Sequence, residues 1–255
     1  MAYYKYYTPN EHSLRTLKDN QIFFAHPSLL NDSFDTSDKL LKEYSDFCKT
    51  IGWSDELSDK LNKHAVFSMT REEQPNNRHL WSLYAGNYSG FAVEFANEIL
   101  MNFTRNNCLY ISQVQYRDKP LNLNDNQSSY AIPEHEESRS YQIAECSEGD
   151  RCEIAVDRLF EFLHLQKEKR VWDIECEARI IIGNNIPHIA VSVPSKGYKM
   201  QLPDGCIKSL ILGCNMLPKH RDKLRKISKI LGCCLYMAEP KIIDGQWDVL
   251  IMEIK

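Results

Sequence analysis

Trp172-Asp173-Ile174-Glu175-Cys176-Glu177-Ala178-Arg179-Ile180-Ile181-Ile182 is the stretch that frames the rest of the chain. Its alternation and β-branched residues predict a strand, ended by Gly183-Asn184-Asn185. Side chains two apart share a face of a strand, which aligns Glu175, Glu177 and Arg179 on one side. Ile174, Cys176, Ala178 and Ile180 take the other side. The unbroken isoleucines 180–182 predict burial on both faces at the far end. Two carboxylates and a guanidinium running into a core strand point to a polar cleft. A solvated edge strand with a surface ion pair fits the same spacing.

Outward from this strand, residues 154–170 have helical spacing (Ala155, Leu159, Phe162, Leu163). Before them, about 120–150 is Asn/Ser-rich and then acidic, and reads as an irregular insertion. The chain opens β-α-β: a strand at 3–7, a helix at 11–18 and a strand at 21–25. Residues 36–64 read as an amphipathic helix broken at Gly52, and 65–69 as a short strand followed by a loop over 71–78. Trp81 and Tyr84 fall on one face of a short helix, as core aromatics. A strand at 90–95, a helix through 101 and a strand at 109–116 follow. The end is again β-α-β: strand 207–212, basic helix 219–231, strand 233–237, then a turn at Asp244-Gly245 and a last strand at 247–254. In that helix Leu224, Ile227, Ile230 and Leu231 make the predicted buried stripe. The pattern predicts an α+β fold, with mixed, mostly antiparallel sheets and flanking helices, built as one domain over 1–255.

Composition narrows the function classes. A net charge of −4 over 255 residues lacks the basic footprint of general nucleic-acid binding, yet leaves room for an enzyme acting on RNA. Nine cysteines are scattered, odd in number and without a Cys-x-x-Cys, which points to reduced, core-filling thiols and a cytoplasmic setting. Eight histidines include no His-Glu-x-x-His and no i,i+4 pair, so spacing predicts no metal site. No signal-peptide core and no apolar run near ~20 residues occurs, so no membrane association is expected.

Four segments together resemble a bacterial family catalogued as domain of unknown function 2971. They are Tyr4-Lys5-Tyr6; Ser28-Leu29-Leu30-Asn31-Asp32-Ser33-Phe34-Asp35; Trp81-Ser82-Leu83-Tyr84 with residues 90–95; and Trp172-x-x-Glu175-x-Glu177-x-Arg179. Ser33 stands where that family usually has Pro, and Asn87 where His is common. At the level of fold, the order of Tyr4-Lys5-Tyr6, residues 23–28 and Glu175-x-Glu177 is similar to ADP-ribosyltransferases. There, two early strands grip NAD and a later strand carries a catalytic Glu. This chain departs from that pattern: its opening strand has no Arg or His, and Ser28 follows Pro27 rather than standing in a Ser-Thr-Ser run.

The resemblance implies an NAD-consuming bacterial effector or toxin, in a setting such as phage defence. It would transfer ADP-ribose to RNA, DNA or protein, and an antitoxin-like protein would be its partner. Glu177 would stabilise the positive charge that develops on the ribose, and Glu175 would position or deprotonate the acceptor. Arg179 would hold the carboxylates ionised or grip a phosphate. Tyr4 or Lys5 would contact the ribose or diphosphate, Tyr6 or Phe24 would stack on a ring, and Ser28 and Asn31 would complete the NAD contacts. Two other readings stand beside this one. The first is a metal-dependent nuclease with Glu94, Glu175 and Glu177 as ligands. The second is a non-catalytic module holding a small ligand among Trp81, Tyr84 and Trp172. Structural roles are open for the same residues: Asn31-Asp32 as a helix cap, Tyr4 and Tyr6 as core, Glu94 as partner of a basic residue, and Arg179 as an ion-pair partner.

Overall fold

The computed structural model describes residues 1–32, 63–119, 165–183 and 186–254. The predicted helix at 36–64 as far as residue 62, the insertion at about 120–150, most of the predicted helix at 154–170 and Ser33 lie outside the described residues; Lys63 and His64, at the end of that predicted helix, are not helical.

Strand β1 (Ala2–Tyr7), helix α1 (Glu11–Lys18) and strand β2 (Gln21–Ala25) form the predicted opening. Helix α1 starts where it does because Asn10 and Ser13 cap each other: the Ser13 N–H donates to Asn10 Oδ1 at 2.8 Å, and the Asn10 N–H to Ser13 Oγ at 3.0 Å. Next come β3 (Ala65–Glu72), α2 (Arg78–Leu83), β4 (Phe91–Phe95) and α3 (Asn97–Asn106). The predicted strand at 109–116 is two strands, β5 (Tyr110–Gln113) and β6 (Gln115–Arg117). The break falls at Val114, whose N–H donates to the Glu177 carbonyl at 2.9 Å; the next N–H, of Gln115, turns to the Leu165 carbonyl at 2.6 Å. Strand β6 thereby leaves the main sheet and pairs in parallel with β7 (Gln166–Glu168), a strand that the helical spacing of 154–170 concealed. The chain then forms one turn of helix, α4 (Lys169–Trp172), a 3-10 turn at Asp173–Glu175, and β8 (Glu177–Ile182). It ends with β9 (Val191–Val193), β10 (Gly197–Gln201), β11 (Ile207–Gly213), α5 (Pro218–Leu231), β12 (Cys234–Ile243) and β13 (Gln246–Glu253).

Nine strands run in the order β13-β12-β11-β4-β1-β3-β2-β10-β9, with β8 and β5 stacked onto the other edge of β3. Every pair in this sheet is antiparallel except β11 and β12, which α5 connects in a β-α-β unit. The architecture is α+β with a mixed, mostly antiparallel open sheet. Leu14, Leu17, Leu100, Phe103, Leu224 and Ile227 from three helices cover one face, over Phe24, Phe67, Val93, Phe95 and Leu210. Ile230 is a correction to the predicted stripe: it is 63% exposed, because α5 turns only Leu224, Ile227 and Ser228 fully inward. On the opposite face Trp81 packs edge-on against Tyr6 at 5.2 Å and flat against Tyr88 at 5.2 Å.

Two features of the sheet position the polar residues. First, β1 meets β3 only through Ala2, Tyr3 and Tyr4, whereas β2 meets it at Val66, so one edge of β3 is open in between. Lys5 reaches into that gap and donates from Nζ to the Ser68 carbonyl at 2.5 Å, with its ammonium 4.6 Å from the Phe67 ring centre. Second, successive register partners set Ser209, Glu94, Tyr4, Thr70 and Glu177 in one row across β11, β4, β1, β3 and β8. Register partners share a face, so a line of polar side chains crosses a largely apolar sheet.

Candidate active site

The predicted strand over 172–182 begins only at Glu177. Glu175 lies on the 3-10 turn, and Cys176 takes a left-handed conformation at φ 45°, ψ 44°, which a non-glycine residue adopts at a cost of ~1–2 kcal/mol. The ladder stops because side chains replace strand partners: Thr70 Oγ donates to the Glu175 carbonyl at 2.8 Å, and Asn77 Nδ2 to the Ile174 carbonyl at 2.6 Å. The expected spacing along one strand face is therefore not how the two acids meet. They converge on one cation. Lys167 Nζ lies 2.9 Å from Glu175 Oε2 and 2.9 Å from Glu177 Oε2, and its ammonium sits 4.4 Å from the Trp172 ring centre.

Arg179 completes the cluster. Its Nε donates to Glu177 Oε1 at 2.8 Å and its Nη2 to Glu177 Oε2 at 3.0 Å, the bidentate fork that guanidinium and carboxylate geometry favours. Arg179 is only 1% exposed, and Lys167, Glu175 and Glu177 are buried beside it. Four ionic groups out of water must neutralise one another, and the bridging lysine lets two cations serve two anions. Tyr84 donates to Glu175 Oε1 and in turn accepts from Asn31 Nδ2 at 2.5 Å, so one chain of contacts runs Asn31–Tyr84–Glu175–Lys167–Glu177–Arg179. The Tyr116 hydroxyl accepts the Glu177 backbone N–H at 2.7 Å. Burial, then the bond to Glu175 and its charge, raise the Tyr84 pKa, which keeps its hydroxyl protonated and donating.

Burial pushes the Glu177 carboxyl up, but Arg179 and Lys167, with hydrogen bonds from Arg179 and Ser68, outweigh it and hold the pKa at about 2. A carboxyl depressed in the fold stabilises it above the ordinary value near 4.5 and loses that contribution as pH falls through about 2. Acid unfolding of the parent protein is therefore expected to steepen below pH 4.5. In Glu177→Gln this component is expected to be missing, read from urea midpoints between pH 2.5 and 6. Equal pH slopes for the two proteins would mean that Glu177 is not held in its ion pairs.

The structure thus brings together Glu175, Glu177, Arg179 and Asn31, and adds Lys167, Tyr84, Tyr116 and Trp172. It disperses the remaining residues of the NAD reading. Tyr4 and Tyr6 point to one face of β1 and Lys5 to the other, as strand alternation requires. Tyr6 donates to Glu72 Oε1 at 3.2 Å and packs on Trp81, in the core position considered for it. Phe24 has no exposed surface and packs against Phe67 inside the core, so no ligand ring can stack on it in this arrangement. Ser28 is exposed on the 3-10 turn Pro27–Leu29, 2.7 Å from His26 Nδ1. Burial, with Glu177 pulling up and Arg179 pushing down, leaves the Lys5 pKa at about 8.

Glu94 has the basic partner considered for it: Lys208 Nζ at 2.5 Å, with Ser209 Oγ at 2.6 Å. It stands three strands from Glu177 along the polar row, about 14 Å by strand spacing, and does not join Glu175 and Glu177 as a third metal ligand. Among the described residues no three His, Cys, Asp or Glu side chains gather at one point that could hold a metal ion. Lys167 left no signal in the sequence, because a lysine on an apparent helix eight residues before Glu175 reads as solvated.

The stretch from α2 to the middle of β8, which carries Tyr84, Tyr116, Lys167 and both carboxylates, is also where a known family matches. Residues 80–180 match DUF2971, described as a protein of unknown function. No curated protein and no solved structure matches the chain. The DUF2971 match leaves out Asn31 and Thr70, which contact the cluster from other elements. No helix among the described residues is long and apolar enough to cross a membrane.

Proposed function

We propose that the protein is an NAD-consuming ADP-ribosyltransferase-like enzyme, with a macromolecule (RNA, DNA or protein) as acceptor and an antitoxin-like protein as its natural partner. One observation carries this reading: a buried carboxylate, Glu177, is held ionised by Arg179 and Lys167 beside a second acid, Glu175. Cleavage breaks the bond between the ribose C1′ and the nicotinamide nitrogen. Nicotinamide leaves with the bonding pair, and the ribose becomes cationic. A carboxylate already ionised and fixed needs no reorganisation to stabilise that charge. The acceptor oxygen or nitrogen then bonds to C1′, and its proton passes to Glu175, which Tyr84 and Lys167 orient.

The test is incubation of the protein with radiolabelled NAD and bacterial lysate, with Glu177→Gln in parallel. Label on RNA, DNA or protein is expected from the parent, with a ~10²–10³-fold loss in the variant, the scale of one preorganised electrostatic group. Nicotinamide release without transfer would restrict the activity to hydrolysis of NAD. No consumption by the parent would refute the enzyme reading.

A second reading has its own observation. Glu177 already accepts from Arg179 Nε, Arg179 Nη2, Lys167 and Ser68, which fills a carboxylate's four acceptor positions. A saturated acid suits a non-catalytic module, in which the ion pairs brace the turn beneath Tyr84 and Trp172 while these bind a small ligand. Glu175 separates the two readings, since its two oxygens take only Tyr84 and Lys167 among the described residues.

A further inference from the structure

The polar row that begins at Glu177 ends, three and four strands away, in a separate cavity. Tyr4, Glu94 and Ser209 form the floor of a space of about 360 Å³, and Tyr236 of β12 and Asp248 of β13 stand at its side. Pro75 and Ile251 supply apolar wall. Glu94 is 9% exposed, and its two oxygens take one bond each, from Lys208 and Ser209, leaving a lone pair on each oxygen. The Lys208 side chain is 62% exposed, which puts it at the rim rather than among the lining residues. Among the described residues Asp248 accepts only the neighbouring Val249 N–H at 2.7 Å; Lys241, its register partner, pairs instead with Glu239 at 3.1 Å.

A second observation is independent of these acids. Tyr4 is 4% exposed and lines the cavity, yet its hydroxyl makes no hydrogen bond among the described residues. The hydroxyl is not sealed from solvent, so a bound group would take it up in place of water in the cavity. Burial, then Glu94 and Glu72, raise its pKa, so it remains an O–H donor with free lone pairs.

We infer that this cavity binds an organic cation, a guanidinium on an apolar stem. The lining carries two carboxylates, of which Glu94 is paired with Lys208 at the rim and Asp248 has no cation partner among the described residues, with two phenol rings, one hydroxyl without a protein partner, and apolar wall for a stem. A planar guanidinium offers five donors for several acceptors at once and stacks on aromatic rings, which a neutral amide or an anion does not. The site shares no side chain with the Glu175–Glu177 cluster and stands whether or not that cluster consumes NAD. The cation is either a free small molecule or an arginine side chain displayed by a protein.

Calorimetric titration of the full chain with butylguanidinium, and with butylurea as its neutral isostere, tests this. Butylguanidinium is expected to bind at least about tenfold more tightly than butylurea, and Asp248→Asn and Tyr4→Phe are each expected to weaken it about fivefold or more. Tyr4→Phe breaks no hydrogen bond in the described protein and is expected to keep its unfolding midpoint, so its loss of binding cannot be ascribed to misfolding. Equal binding of both compounds, no binding of either, or unchanged affinity in both variants would overturn the inference. An arginine blocked at both termini that binds as well as butylguanidinium assigns the site to protein side chains. Its exclusion, with butylguanidinium retained, assigns the site to a free cation.

Discussion

Arg179→Met is expected to lower the stability of the protein by ~3–5 kcal/mol, the cost of leaving a buried charge without its partner. Arg179 fills the space between Ser68 and Ser112, its register partners on β3 and β5, and makes both fork bonds to Glu177. Methionine matches much of its volume, so the loss isolates the charge rather than opening a cavity. Lys167 cannot make up for it, because its ammonium is shared with Glu175. The companion variant Arg179→Met/Glu177→Leu removes the stranded anion with the cation and is expected to recover at least half of the loss. Urea unfolding of the parent, the single and the double variant measures the difference. A single-variant cost under about 1 kcal/mol would show that water reaches Glu177, because a solvated pair contributes no more than that.

Gly213→Ala is expected to have an effect of similar size by a different route. A Cβ there would lie 2.1 Å from the Tyr88 carbonyl oxygen and 2.5 Å from its carbon, both main-chain atoms that no rotamer change can move. The approach is close because the Gly213 N–H donates to the Gly90 carbonyl at 2.9 Å and the Asn215 N–H to the Tyr88 carbonyl at 2.9 Å, tying β11 to the loop after α2. Overpacking of this kind costs ~1–3 kcal/mol and more when backbone must shift. Gly232→Ala is the control: its Cβ would have no atom within 4 Å and its φ is +65°, so only the ~1 kcal/mol cost of a left-handed alanine is expected. The loop displaced in Gly213→Ala also carries Tyr84, so quenching or shift of the Tyr84–Glu175 contact should accompany the lost stability. Equal unfolding midpoints for the two variants would mean that the loop yields without strain.

Much of the framework was legible because it rests on local chemistry. Helix α1 spans the residues its periodicity marked, and Asn10-x-x-Ser13 explains its start. Strand β2, the β11–α5–β12 unit and the Asp244-Gly245 turn also lie where spacing placed them, and residues 180–182 are buried as a continuous apolar run should be. Strands β7, β9 and β10 were not legible. Each is short and polar or mixed, and exists because a neighbour offers it a ladder: β6 for β7, β2 for β10, and β10 in turn for β9. Extending the β8 strand back through Ile174 and Glu175 misread the alternation, since Thr70 and Asn77 end the ladder from 97 residues or more away in sequence.

The candidate site divides along the same line. Sequence alone marked Glu175, Glu177 and Arg179 as a unit and assigned the chain to an α+β class, because side-chain alternation and apolar periodicity are properties of neighbouring residues. Tertiary structure decided that the two acids meet on Lys167, that Tyr84 joins Glu175 to Asn31, and that Phe24 and Tyr6 belong to the core. It also decided that Glu94 answers to Lys208 and leaves Tyr4 facing a cavity. Those outcomes depend on which strands become neighbours and on which buried charge finds a counter-charge within about 3 Å, and no spacing along one chain encodes a distance between segments.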